Sequence, residues 1–185
     1  MIMKEISLHI LDIAENSIAA GAKNVTITIE VNHARDIMRA TVEDDGCGMD
    51  EEQARRVLSP FATSRTTRKV GLGIPFFKEG AEGCGGDFAL TSEKGVGTKI
   101  SASYRISHID RPPLGDMAET MLSVACCNPD VDFIYQYRVD GQEFLFNTKE
   151  IRATLGPDIP LNLPQVAAWM KDYLNEGIRE LNGGV

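Results

Sequence analysis

The chain has 185 residues, 43% of them hydrophobic, with 27 acidic against 19 basic side chains and a formal net charge of -8. That length fits one domain with a small appendage, and the acidic balance argues against a general nucleic-acid binder or a binder of anionic membranes. No apolar run approaches the ~18 residues of a membrane span, and Met1-Ile2-Met3-Lys4-Glu5 lacks the features of a secretion signal, so the expected compartment is the cytoplasm.

Ser7 to Ala20 reads as a helix, with Leu8, Leu11 and Ile18 in its apolar stripe, Ser7 as a plausible N-cap and Gly21 as the residue after its end. Asp12 and Asn16 stand four apart, which places a carboxylate and an amide on one face. They are either a site or part of a solvated outer face. Val25, Ile27, Ile29 and Val31 alternate with Thr26, Thr28 and Glu30, the pattern of a half-buried strand. A hairpin loop over 32–36 leads into a second strand with Met38, Ala40 and Val42 on one face. One face of such an antiparallel pair can meet solvent, while the other needs a helix layer.

The second strand runs into Asp44-Asp45-Gly46-Cys47-Gly48. Glycine permits positive φ and leaves no Cβ to obstruct a close neighbour. The stretch is either an ordinary acidic turn or a loop shaped for a ligand, with Asp44 offering a fixed acceptor. A short amphipathic run, Glu51 to Leu58, follows. Ser59 to Val70 is a polar loop containing Arg65, Arg68 and Lys69, read either as a solvated loop or as a lid that carries cations to an anion. Gly71-Leu72-Gly73 then opens a helix over 74–82, and backbone N–H groups at such a start suit phosphate. Two more strands, Asp87 to Thr91 and Thr98 to Arg105, flank the turn Glu93-Lys94-Gly95-Val96-Gly97. Neither GxxxxGK[ST] nor a complete GxGxxG after a strand is present.

Beyond Ile109 the sequence changes character. Arg111-Pro112-Pro113-Leu114-Gly115 reads as a linker and Asp116 to Ala125 as a short helix. Asp140-Gly141 marks a hairpin between Phe133–Val139 and Gln142–Phe146. Thr148 is a candidate cap for a short helix ending near Gly156. Pro164 opens an amphipathic helix with Val166, Trp169, Met170, Leu174 and Leu181 on or near one face. These residues either pack on the rest of the chain or form a partner surface. The four cysteines show no CxxC spacing and the three histidines are scattered, so no zinc signature exists. The cysteines read as reduced packing residues, with a redox role for Cys126-Cys127 as the alternative.

The ordered set of Asp12 and Asn16 on a helix, Asp44-x-Gly46-x-Gly48, Gly71-Leu72-Gly73-Ile74 and Gly95-Val96-Gly97-Thr98 resembles the GHKL family of ATP-binding domains. That family includes gyrase-type topoisomerases, heat-shock chaperone ATPases, sensor histidine kinases and mismatch-repair ATPases. The resemblance spans about residues 5 to 106. Val70 to Ser101 looks most like the kinase branch, and Glu15-Asn16-Ser17 through Ala22 more like the mismatch-repair branch. The whole chain is also similar to stand-alone ATPase-like proteins of anaerobic bacteria. The resemblance implies an α+β fold over residues 1–108: a two-layer α/β sandwich whose mixed, mostly antiparallel sheet carries helices on one face, the Bergerat-type ATP fold. A small C-terminal α/β extension, 109–185, would follow as a candidate partner surface.

Carried over position by position, the resemblance makes Asn16 the Mg²⁺ ligand and Asp44 the acceptor for the adenine amino group. Gly46 and Gly48 would give the base close passage, and Met49 and Phe61 would line its slot. Gly71, Leu72 and Gly73 would cradle phosphates, Thr98 would sit beside Asp44, and Arg65 would approach the terminal phosphate. Asp12 occupies the place where hydrolysing members usually carry a glutamate base. Aspartate is one methylene shorter and would need a second water to reach. Glu15, adjacent to Asn16, points away from it. The expected function is therefore that of a Mg-ATP-binding, kinase-like regulator acting on a protein partner. The alternatives are a slow ATPase switch and a nucleotide-sensing module without chemistry.

Overall fold

The computed structural model describes residues 5–58 and 73–182. Its elements run α1 (Ile6–Ala19), β1 (Asn24–Asn32), β2 (Ile37–Asp44), α2 (Glu51–Val57), α3 (Gly73–Gly83), β3 (Phe88–Glu93), β4 (Gly97–Arg105), α4 (Met117–Cys127), β5 (Asp132–Val139), β6 (Gln142–Asn147), α5 (Thr148–Leu155) and α6 (Pro164–Leu181). The strands form one six-stranded sheet in the order β3-β4-β2-β1-β5-β6. Every pairing is antiparallel except that of β1 with β5, so the sheet is mixed and mostly antiparallel, as the family resemblance implies.

Strand alternation decides which face is covered. Val25, Ile27, Ile29, Met38, Ala40, Val42, Ile100 and Ala102 are buried and belong to one core with Ile6, Ile10 and Ile13 of α1 and Phe77 of α3. Burying each of the Val, Ile, Met and Phe side chains contributes about 1.5–3 kcal/mol. The residues between them on the strands form polar pairs instead, Thr28 with Gln136 and Thr41 with Ser101. Residues 109–182 add to the same layers: β5 extends the sheet beyond β1, and Phe133, Tyr135 and Phe146 join the core beneath α4 and α6.

Local expectations need four corrections. The buried stripe of α1 is Ile6, Ile10, Ile13 and Ala14, while Leu8 is exposed. Ser7 is not its N-cap. Glu5 holds that position without a side-chain bond, and the first amides of the helix donate instead to the carbonyls of Pro113 and Leu114. The linker thereby satisfies donors that a helix start leaves open. For α5 the cap is Asn147, which accepts from the Lys149 amide, because Thr148 is buried and accepts from the Phe133 amide. Trp169, placed on the apolar face of α6 by its spacing, is half exposed; Met170 and Leu174 are buried there. The helix over 51–57 buries no residue. It rests on a reciprocal Asp50–Gln53 capping box and on Glu51–Arg55 and Glu52–Arg56 pairs. Among the described residues no helix is long and apolar enough to cross a membrane.

Candidate functional site

Three elements converge at the end of β2 where the acidic loop begins. The Asp44 carboxylate accepts from the Ser17 hydroxyl of α1 at 2.6 Å through one oxygen and from the Gly46 amide at 2.9 Å through the other. Two short bonds fix its orientation and leave lone pairs on both oxygens for a further donor. The loop is tied on either side. The Cys47 amide donates to the Ala20 carbonyl, the Gly95 amide donates to the Cys47 carbonyl, and the Met49 amide donates to Ser92 Oγ. Thr98 stands opposite Asp44 in the β2–β4 register and shares a 2.8 Å bond with Ser92.

The glycines are demanded by this packing. A Cβ on Gly48, whose φ is +63°, would lie 1.9 Å from the Glu93 carbonyl oxygen, and one on Gly97 would lie 1.9 Å from that of Asp44. Loop and turn therefore meet backbone to backbone. Gly46 is also confined, since its Cβ would come within 2.9 Å of the Asp44 carboxylate.

Asp45, beside Asp44, does different work. It accepts from the Lys23 and Asn24 amides and the Asn24 side chain, anchoring the start of β1. Partial burial pushes its carboxyl up, but those donated bonds outweigh the burial and hold it below its ordinary value.

On the flank of α1 that faces α3, Asp12 accepts from the Gly73 amide at 3.0 Å. A carboxylate thus sits at the start of a helix, where the exposed amides favour negative charge. The approach is close enough that a Cβ on Gly73 would fall 2.1 Å from Asp12 Oδ2. One turn further along α1, the Asn16 side-chain nitrogen is buried and has no hydrogen-bond partner among the described residues. Glu15 is exposed. His9, one turn before Asp12, is buried against Phe76 and Phe77; burial lowers its pKa, against a smaller upward pull from Asp12. It stays neutral at neutral pH.

The structure thus brings Asp12, Asn16, Asp44, Gly46, Gly48, Met49, Gly73 and Thr98 to the α1 side of one sheet end. Phe61, Arg65, Gly71 and Leu72 lie outside the described residues. Sequence reading missed Ser17 and Ser92, the two hydroxyls that hold Asp44 and the Met49–Thr98 region. A serine within the apolar stripe of an amphipathic helix was the available signal for Ser17. Among the described residues no group of three His, Cys, Asp or Glu side chains forms a metal site. The cysteines are free, with Cys47 and Cys127 exposed, Cys84 buried and Cys126 between.

Residues 3–108 match the family described as "Histidine kinase-, DNA gyrase B-, and HSP90-like ATPase". Among curated proteins, the chain is 31% identical over 83 residues to the sensor histidine kinase WalK of Bacillus subtilis, covering 42% of this chain and 14% of that one. It is 25% identical over 115 residues to the virulence sensor protein BvgS of Bordetella bronchiseptica, covering 59% and 9%. The chain therefore spans only a small part of these relatives. Among solved structures, an Aquifex aeolicus MutL ATPase domain complexed with ADP aligns with a TM-score of 0.51 at 15% identity, over 84% of this chain and 70% of that one. The N-terminal domain of a DNA repair protein aligns with a TM-score of 0.56 at 13% identity, over 84% and 58%. At these identities the two structures establish the shared fold.

Proposed function

The chain belongs to the histidine kinase-, DNA gyrase B- and HSP90-like ATPase family, and we propose that it binds Mg-ATP between α1, the Asp44 loop and the start of α3, and acts as a kinase-like regulator of a protein partner. The observation that carries this reading is the Asn16 side-chain nitrogen, buried one turn beyond Asp12 on α1 and without a hydrogen-bond partner among the described residues. Leaving such a group unpaired costs about 1–3 kcal/mol, which a ligand would recover.

Each residue has a role it can perform. Asp44, oriented by Ser17 and Gly46, would accept the adenine amino group. Met49 and Phe61 would flank the base, with Thr98 near it and Gly46 and Gly48 keeping the loop close. Rotating the Asn16 amide by half a turn exchanges its oxygen and nitrogen. The oxygen is a suitable hard ligand for Mg²⁺, which needs few protein ligands when phosphates supply others. When bound, Mg²⁺ would neutralise charge on the phosphates. Gly71, Leu72 and Gly73 would offer amides to the phosphates, and Arg65 a cation. The Asp12 carboxylate, now on the Gly73 amide, occupies a helix start of the kind phosphate favours. The names of the relatives, sensor kinases among them, favour transfer to a protein.

A slow ATPase switch is the second reading, favoured by Asp12 itself. One oxygen is engaged by Gly73, so Oδ1 would take the proton of a water.

Calorimetry with Mg-ATP on the native chain and on Asp44→Asn tests the site. The expected loss is about tenfold to a hundredfold in affinity, the range for a hydrogen bond to a charged group. Unchanged binding would overturn the adenine assignment. Labelled ATP with candidate partners separates the readings: label on a partner supports the kinase, while phosphate release that falls in Asp12→Asn supports the ATPase.

A further inference from the structure

At the far edge of the sheet, β6 has a neighbour on one side only among the described residues. The loop Asp140-Gly141 has two residues, both at positive φ, and Val139 pairs with Gln142 across it. In a two-residue hairpin the flanking pair exchanges its hydrogen bonds, and the direction alternates along the strand. Gln142, Phe144 and Phe146 thus bond inward to β5, while Glu143 and Leu145 turn their amides and carbonyls outward. The Tyr173 hydroxyl of α6 donates to the Leu145 carbonyl at 3.3 Å, which fits that parity.

An apolar shelf overhangs this edge. Trp169 and Tyr173 stack with ring centroids 5.4 Å apart and planes 7° from parallel, and Tyr173 leans on Phe144 at 5.2 Å. Trp169 and Tyr173 are 50% and 39% exposed, while Leu145, next to the α6-facing Phe144 on the strand, turns its side chain to the opposite face of the sheet. The helix lies close because Gly177 meets Phe144, where a Cβ would come within 2.1 Å of the ring. Helical spacing puts Glu176 and Glu180 on the same stripe as Trp169 and Tyr173, with Asp172 beside them. Of the basic residues nearby, Lys171 pairs with Glu119 and Arg138 with Glu143, while Arg179 lines a surface depression with Asp172 and Glu176.

We propose that the outer edge of β6, under the Trp169–Tyr173 shelf, receives an extended basic segment of a partner polypeptide as a seventh strand. The outward groups of Glu143 and Leu145 would bond its backbone, an apolar side chain would seat against Trp169 and Tyr173, and lysine or arginine side chains would meet Glu176, Glu180 and Asp172. Backbone bonds supply affinity in this mode and side-chain pockets supply selectivity. The cations could also stack on the aromatic faces. The acidic stripe disfavours a second copy of this chain, which would bring the same stripe against itself. Tyr173 acts as a placeholder, since its hydroxyl holds the carbonyl that an incoming amide would take.

Trp169 is the chain's only tryptophan, so its emission reports on this shelf directly. The probe is the acetylated, amidated hexapeptide Lys-Val-Lys-Val-Lys-Val, with Glu-Val-Glu-Val-Glu-Val as control. The expected result is a saturable emission change with the basic peptide alone, weakened at high salt. Leu145→Pro removes only an outward amide, a change edge strands accept, and should weaken binding about tenfold. The paired surface change Glu176→Lys with Glu180→Lys should do so as well while leaving the fold intact. Equal response to both peptides, or undiminished binding by both altered chains, would overturn the proposal. So would a concentration-dependent dimer in light scattering that Leu145→Pro abolishes, which would give the edge to a second copy.

Discussion

The two ends of the sheet are held by different kinds of contact. Around β2, β3 and β4 the site loop is fixed by backbone against backbone, with Gly48 on the Glu93 carbonyl and Gly97 on that of Asp44. Around β5 and β6 the structure is held by aromatic volume, with Phe133, Tyr135 and Phe146 fully buried and Tyr135 stacked on Tyr137. Close-packed side chains stabilise through the area and contacts they gather. Backbone contacts across glycines gather little area, but they fix positions to a fraction of an ångström. The site end should thus be the more sensitive in ligand binding, and the aromatic end in global stability.

The largest expected effect is at the aromatic end. Phe146→Ala should lower the unfolding free energy by about 3–5 kcal/mol, read from urea denaturation, while the surviving folded protein keeps its ATP affinity. Gly48→Ala should show the opposite balance. Strain at positive φ costs about 1–3 kcal/mol, and calorimetry should show a larger loss in ATP affinity than in stability once the loop is pushed from Glu93. A change confined to stability would break the comparison. Tyr135→Phe sharpens it: the hydroxyl is buried with no partner among the described residues. Its removal should leave the urea midpoint unchanged or raise it by the equivalent of about 1 kcal/mol.

The smallest effect concerns acid. The Asp45 carboxyl lies below its ordinary 3.8 in the folded chain because bonds from Asn24 and Lys23 outweigh its partial burial. A depressed folded value means that the contribution is present above the unfolded value and is lost as pH falls through the folded one. Native chain and Asp45→Asn should therefore differ most in melting temperature near about pH 6 and converge as the pH falls below 3.8. A constant difference across that range would show that the bonds do not depend on the charge.

Much of this was legible in the sequence. Alternation over Val25 to Val31 and the Asp140-Gly141 dipeptide mark their elements within a residue or two, because strand alternation and two-residue turns are local properties. Asp12 and Asn16 could be placed on one helical face from their spacing alone. The same spacing left open whether that face met water. It lies towards α3, where Asp12 reaches the Gly73 amide. Leu8 and Trp169 misled because helical periodicity finds an apolar stripe without revealing how many neighbours will cover it.

The sequence by itself determined the order of elements, the acidic glycine loop and the family, since each depends on residues near one another along the chain. Only the tertiary structure decided that β5 pairs in parallel with β1, making the C-terminal part a continuation of the sheet. Alternation looks the same for parallel and antiparallel neighbours, so it could not choose. Only the structure, likewise, set Ser17 on Asp44 and Glu93 on Gly48. Those contacts join residues far apart in the chain, and their partners are fixed by how helix, loop and turn pack together.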